Sequence, residues 1–355
     1  MEDFSKILRA WYRKKGRDLP WRSTSDPYKI WLSEIILQQT RVDQGTPYYH
    51  RFIDNFQTIN DLANAHEDKV LRLWQGLGYY SRARNLHHAA KQLKEQHQGK
   101  FPANYSEIRA LKGIGDYTAA AIASFAFNLP HAVVDGNVYR FLSRFFGITT
   151  AIDSSKGKKQ FAELADSLLD HKHAATHNQA IMEIGAMICK PKNPLCEECP
   201  FIGSCAAYHK GLIAQLPVKE KKLKVRTRYF HYLIIHDSRS VLIASRQEKD
   251  IWQGLFEFPL LETEAEAGIA LLRETELWKK LIPAHAKVEK VSSEKKHLLS
   301  HQTLKARFWW INIDKFQKST SYAPFLKVDF ASLDHYGMPQ LIVKYIDEEG
   351  GDFMD

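Results

Sequence analysis

Through most of the first 187 positions apolar residues recur at steps of three and four, the spacing that lays one apolar stripe along an α-helix. The pattern predicts helices over 30–39, 43–56, 69–74, 81–96, 117–127, 138–146 and 159–169. Gly or Pro punctuates the connectors, as at Gly76, Gly99, Pro102, Gly113 and Pro130. A charged, proline-containing run, Leu216-Pro-Val-Lys-Glu-Lys-Lys-Leu-Lys-Val-Arg, then reads as a linker. Beyond it the period shortens to two. Positions 228–236 and 241–246 read as two strands of a hairpin around Asp237-Ser-Arg-Ser, with further strands at 286–291 and 304–313 and a helix at 264–277. The expected order is an all-α domain over 1–215, a linker over 216–227, a smaller α+β domain over 228–346 and an acidic tail over 347–355.

The length, 355 residues, suits two or three domains with cores of their own. Charge sharpens the division. Residues 1–225 carry 32 Lys and Arg against 22 Asp and Glu, whereas 226–355 carry 18 against 19. A basic first part beside a near-neutral second points to a polyanion, most simply nucleic acid, bound by the first; a merely soluble basic protein is the plain alternative. Met1-Glu-Asp-Phe-Ser does not read as a targeting segment. The longest apolar run, 119–127 broken by Ser124, is too short to span a bilayer. A soluble monomer is expected, cytoplasmic and nucleoid-associated if bacterial.

All four cysteines fall in one stretch, Cys189, Cys196, Cys199 and Cys205, spaced C-x6-C-x2-C-x5-C. One tight pair flanked by longer loops suits a cubane [4Fe-4S] cluster better than zinc, which usually takes two C-x2-C pairs or a pair with histidines. Pro191, Pro194 and Pro200 let the loop turn around a centre. Zinc and two disulfides are the alternatives; disulfides fit poorly in a chain long enough to bury a core without them. His173 and His177 stand four apart without an evident third ligand, and an exposed helical face is the simpler expectation.

Leu111-Lys-Gly-Ile-Gly-Asp-Tyr-Thr-Ala-Ala-Ala-Ile is the second signal. Two glycines around an isoleucine allow a tight turn between helices, with Leu111 and Ile114 tucked into the core. Amides near Gly113 and Gly115 then face outward at a helix start, where a phosphate is favoured. This reads as a helix-hairpin-helix over about 109–127, a grip on the DNA backbone, against the alternative of a plain αα turn. Twenty residues on, in Val133-Val-Asp-Gly-Asn-Val-Tyr-Arg, Asp135 or Asn137 reads as a helix N-cap. A carboxylate there could also shelter a cationic sugar, and the two roles are compatible.

Hairpin, following Asp and four-cysteine loop together resemble the endonuclease-III-like DNA glycosylase superfamily. Leu19-Pro-Trp-Arg, Asp26-Pro-Tyr-Lys-Ile-Trp-Leu-Ser-Glu-Ile-Ile-Leu-Gln-Gln-Thr-Arg-Val and Gly76-Leu-Gly-Tyr-Tyr-Ser-Arg-Ala-Arg-Asn-Leu resemble its MutY-type adenine glycosylases. That resemblance covers about residues 4–210 and implies excision of adenine mispaired with 8-oxoguanine or guanine in double-stranded DNA. Strand-nicking relatives carry a Schiff-base lysine two residues after the last hairpin glycine. Tyr117 stands there in this chain, so a monofunctional enzyme is expected.

The resemblance makes Glu34 the general acid and sets Asp135 against the developing oxocarbenium ion, with Tyr117 and Asn137 in support. Glu34 lies among Ile30, Trp31, Leu32, Ile35, Ile36 and Leu37, and desolvation there would raise its pKa. A solvated carboxylate at the helix edge is the alternative. By the same match Arg17, Trp21, Arg22, Leu37, Gln179 and Glu183 line the adenine pocket. Gln39, Leu77 and Tyr79 enter the stack around the partner base, and Lys112, Gly113, Gly115 and Thr118 meet the DNA backbone. Trp11, Trp31 and Trp74 are expected in the core.

Residues 228–345 resemble the Nudix-like domain such glycosylases carry, most clearly at Trp252-Gln-Gly-Leu-Phe-Glu-Phe-Pro. Arg273-Glu-Thr-Glu lacks the paired glutamates and placed glycine of a hydrolytic Nudix box, so a reader domain without nucleotide hydrolysis is expected. Ser300 and His301, in Leu299-Ser-His, are implied to sense 8-oxoguanine, with His297 assisting; on their own they read as surface-loop residues. Two other functions compete: a pyrimidine-damage glycosylase with lyase activity, and a catalytically silent iron–sulfur protein that binds DNA lesions.

Overall fold

The computed structural model describes residues 2–220, 225–237, 239–316 and 322–349. Linker residues 221–224, Ser238 of the hairpin turn and tail residues 350–355 lie outside the described residues. The chain divides into two compact units: residues 1–64 with 85–222, and residues 65–84 with 223–355. The second unit thus includes a segment from the middle of the expected helical domain.

The first unit is helical. Helix Glu2–Lys15 opens it, and Pro27–Ile36 starts where the Asp26 carboxylate accepts from the Tyr28 amide at 2.9 Å, with Pro27 in the first turn. The apolar periodicity begins only at Ile30, which is why the pattern placed this helix three residues late. Helix Asp116–Phe127 is the hub. Its alanines Ala119, Ala120, Ala121 and Ala123 are buried without side-chain bulk, and it packs against Pro27–Ile36, Tyr105–Ala110 and Ala174–Met187. Helix Gly136–Phe146 packs closely on Ala174–Met187 at Gly185, where a Cβ would lie 2.7 Å from the Asn137 carbonyl oxygen. Leu8, Val138, Leu142, Phe161, Ala180 and Ile184 form a core closed to solvent, each large side chain contributing about 2 kcal/mol.

The expected linker is partly structure. Leu216 is buried, the Val218 carbonyl accepts from the Ile152 amide at 3.0 Å, and the Glu220 amide donates to Asp153 at 3.0 Å.

The second unit is built on an eight-stranded sheet: β1 Arg226–His236, β2 Ser240–Ser245, β3 Phe256–Glu257, β4 Leu260–Thr263, β5 Lys287–Val291, β6 Lys295–Leu298, β7 Gln302–Asn312 and β8 Leu326–Asp329. β1 runs parallel to β7, in register from Arg226↔Gln302 to His236↔Asn312, and antiparallel to β2 and β4. Alternation along β1 and β7 covers both faces. Leu233, Ile235, Trp309 and Ile311 pack with Leu272, Trp278 and Leu281, while Tyr232, Phe308 and Tyr345 stack on the other side.

Two expectations change here. The single helix at 264–277 is two short ones, Ile269–Arg273 and Glu276–Leu281, because Thr275 caps the second by accepting from the Trp278 amide. The acidic tail begins as ordered structure: Asp347, Glu348 and Glu349 end helix Gln340–Glu349, and Glu349 pairs with Lys295 at 2.6 Å. Helix Glu67–Trp74 is bound into this unit, with Leu71 beneath Gly254, the Gln75 amide oxygen accepting from the Met338 amide at 3.4 Å, and Arg84 donating to the Gln253 carbonyl.

Candidate active site

Packing around the hub helix brings four helices to one cavity of about 400 Å³, lined among others by Glu34, Tyr117, Asp135, Asn137, Gln179 and Glu183. Glu34 comes from the second helix, Tyr117 from the first turn of the hub, and Asp135 from the start of Gly136–Phe146. The Tyr117 hydroxyl donates to Glu34 Oε2 at 2.5 Å. Glu34 is only 8% exposed. Burial pushes its pKa up to about 7; the Tyr117 hydrogen bond opposes this, and the Asp135 charge adds to it. Burial, followed by the neighbouring Glu34 charge, raises the Tyr117 phenol well above its usual value, so it remains a donor.

Asp135 caps its helix. Its Oδ1 accepts from the amides of Asn137 and Val138 at 2.9 and 2.8 Å, and its Oδ2 from Asn137 Nδ2 at 2.7 Å. Burial raises its pKa, while those donors and the Arg140 charge pull the other way. Arg140 completes the bracket by donating to Asn137 Oδ1 at 2.9 Å and to the carbonyls of Gly185 and Cys189 at 2.6 Å each. No local pattern around Arg140 marks it for this role.

The pocket residues sort unequally. Arg17 grips Glu183 through Nε and Nη2 at 2.7 Å each, its amide adds a third bond at 2.9 Å, and Arg22 adds a fourth at 2.6 Å. Burial alone would raise the Glu183 pKa, but the bonds from Arg17 and Arg22 hold it down at about 2. Glu183 therefore organises the two arginines as a permanent anion. Gln179 accepts through Oε1 from the Tyr12 hydroxyl at 3.0 Å, a partner no spacing rule would have revealed. Trp21 and Leu37 line the same cavity.

At the hairpin, Leu111 and Ile114 are buried as expected. Gly113 has φ +76°, and a Cβ there would lie 2.5 Å from Asn85 Cβ. Gly115 caps the hub helix, and Lys112 is exposed. Thr118 is buried and its hydroxyl meets Gln38 Nε2 at 3.3 Å, so its side chain faces protein rather than a phosphate. His177 corrects another expectation. It is buried, bonded to the Ser5 hydroxyl at 2.9 Å, and burial pushes its pKa down to about 4. Trp31 and Trp74 are core, while Trp11 is half-buried against it.

The four cysteines are free thiols around one cavity beside Phe141, Arg144 and Ile188. Buried Arg144 donates to Cys189 Sγ at 3.5 Å and to the carbonyls of Lys190, Pro191 and Leu216 at 2.7, 3.2 and 3.0 Å. Burial raises the thiols of Cys189 and Cys196, and that of Cys199 to about 11. The four cysteine side chains face one space and together form a soft donor set. Among the described residues no three or more His, Cys, Asp or Glu form a group that could hold a metal ion.

In the second unit a cavity of about 530 Å³ is lined by Leu77, Tyr79, Trp252, His297, Ser300 and His301, among others. The Tyr79 hydroxyl is hydrogen-bonded to Ser300 Oγ. Tyr79 is 39% exposed, but Leu77 is 6% exposed and packed away. Gln39, in the first unit, is exposed with φ +56°. Ser300 and His301 are exposed, and the His297 ring meets Trp252 edge-on at 5.7 Å.

Comparison with known proteins agrees with this architecture. Residues 32–167 match the model of the HhH-GPD superfamily base excision DNA repair proteins, and 231–348 that of the NUDIX domain. The adenine DNA glycosylase of Buchnera aphidicola subsp. Baizongia pistaciae (strain Bp) is 36% identical over 97% of this chain and 95% of its own. This chain belongs to the adenine DNA glycosylases. The Mus musculus adenine DNA glycosylase is 31% identical over 90% of this chain and 72% of its own. A solved thermostable thymine-DNA glycosylase aligns with TM-score 0.55 at 30% identity, covering 59% of this chain and 96% of that one. An endonuclease III in a DNA complex shares the fold at TM-score 0.51 and 19% identity, over 59% of this chain and 97% of that one. As a member of this family the chain is a DNA N-glycosylase of base excision repair, with a helical helix-hairpin-helix domain and a Nudix-like domain. No helix of the described residues is long and apolar enough to cross a membrane.

Proposed function

We propose that this protein hydrolyses the N-glycosidic bond of adenine mispaired with 8-oxoguanine or guanine, leaving an abasic site and an intact strand. The observation that carries the reading is the 2.5 Å bond from Tyr117 to a buried Glu34 whose pKa stands at about 7. A carboxyl so tuned still holds a proton at neutral pH and can give it to a ring nitrogen of a flipped purine. The C–N bond then breaks with adenine leaving neutral. Asp135, fixed by two backbone amides and Asn137, faces the positive sugar as an anion. Water completes the hydrolysis. Tyr117 carries no amine, so no imine forms by the lysine route.

Arg17 and Arg22, spread on Glu183, and Gln179, oriented by Tyr12, form the polar wall of the adenine pocket. Amides near Gly113 and Gly115, with Lys112, hold the DNA backbone. In the second unit, Tyr79, Ser300 and His301 meet the partner base. Cys189, Cys196, Cys199 and Cys205 fit a [4Fe-4S] cluster, which when bound cross-links their loop through iron–thiolate bonds.

The test is a duplex with adenine opposite 8-oxoguanine, incubated with enzyme and then heated with or without alkali. Breakage only with alkali is expected. Breakage without alkali would make the protein a nicking glycosylase, and no breakage a lesion binder.

A further inference from the structure

The turn at residues 76–79 is built unusually. Gly76, Gly78 and Tyr79 have φ of +98°, +72° and +48°, so a non-glycine residue sits in the left-handed region at its tip. Such a conformation costs a side-chain-bearing residue roughly 1 kcal/mol and persists only where surroundings impose it. Here they do. The Arg82 guanidinium lies 5.0 Å from the Trp74 ring centroid and 5.6 Å from that of Tyr79. Its Nη2 donates to the carbonyls of Leu77 and Gly78 at 3.4 and 3.2 Å. Trp74 Nε1 donates to the same Gly78 carbonyl at 3.0 Å, and the Arg82 amide to the Tyr79 carbonyl at 2.9 Å. Burial pushes the Arg82 pKa down to about 10, still charged at neutral pH.

We propose that Arg82 is a positioning residue for recognition of the mispair: it freezes the 76–79 turn and stacks beneath Tyr79, presenting that ring to the DNA base stack. The inference rests on the reading of Tyr79 as a residue that meets the partner base. A guanidinium is planar, so it can stack on two rings while bonding carbonyls in its own plane. Lysine keeps the charge but can do neither together. Leu77 is buried, so what the turn offers DNA is the half-exposed Tyr79 ring.

Arg82→Lys, Tyr79→Ala and the double variant test this in the full-length, cluster-loaded protein. The probes are a duplex bearing a non-cleavable adenine analogue opposite 8-oxoguanine and the matched duplex, with iron content as a fold control. Arg82→Lys is expected to weaken mispair binding about tenfold and to change matched binding less than twofold, because the charge stays. In the Tyr79→Ala background the same substitution should do nothing further, since Arg82 acts through that ring. Equal loss on both duplexes, or an undiminished effect without Tyr79, would overturn the proposal. Were Tyr79→Ala itself harmless to mispair binding, the reading of Tyr79 would fail, and this inference with it.

Discussion

Replacing Glu34 by glutamine should make the protein more stable at neutral pH while disabling it. The Glu34 carboxyl rises from 4.5 to about 7 in the folded chain. Between those values the folded state binds more protons than the unfolded one, so stability falls as pH climbs from about 4.5 and levels off above about 7. At about 1.4 kcal/mol for each tenfold change in proton affinity, the full penalty is on the order of 3 kcal/mol. Glutamine never ionises, and its amide oxygen can still accept from Tyr117. Burying the amide hydrogens carries a cost of its own, but that cost does not vary with pH. The diagnostic is therefore the slope. Urea unfolding of Glu34→Gln and the parent at pH 5, 6, 7 and 8 should show the variant gaining about 2.5 kcal/mol relative to the parent across the series, roughly 5–10 °C in melting temperature. Excision under single-turnover conditions should meanwhile fall 10²- to 10⁴-fold, the range for losing a general acid. A stability difference that stays flat from pH 5 to pH 8 would refute the reasoning, because it would mean that Glu34 folds already ionised.

Asp135→Asn should abolish excision yet melt within about 0.5 kcal/mol of the parent, because asparagine caps helices as well as aspartate, whereas Asp135→Ala should also lose about 1 kcal/mol in urea unfolding. Tyr117→Phe removes a hydrogen bond that holds the Glu34 pKa down, so the alkaline limb of the single-turnover pH–rate profile should move to higher pH; an unmoved limb would detach Tyr117 from the acid. Gly113→Ala forces a Cβ against Asn85 at positive φ and should cost 1–3 kcal/mol and weaken binding to matched duplex, measured by titration.

Periodicity located most helices because their buried faces repeat at three and four, and it failed where another force sets the boundary. Asp26 and Pro27 start a helix that the apolar pattern enters late, and the Thr275 cap splits a stretch that looks continuous. In the site, Glu34 was ambiguous locally: its apolar neighbours suited either a buried acid or an amphipathic edge, and only packing against the hub helix decides for burial. Tyr12, Arg140 and the double grip on Glu183 join residues more than forty positions apart, which no local pattern encodes. His177 differs from expectation because its residue type suggests solvent, while the Ser5 hydroxyl inside the fold bonds it in a buried position.

The detour of residues 65–84 carries a penalty for any shortened gene product. A polypeptide ending ahead of residue 223 would retain every catalytic side chain named above, yet Leu71 would have lost the Gly254 backbone that covers it and Arg84 its Gln253 carbonyl. Premature termination near the domain junction would thus leave a sticky, half-dressed insert in an otherwise finished enzyme, prey to chaperones and proteases before its chemistry could matter.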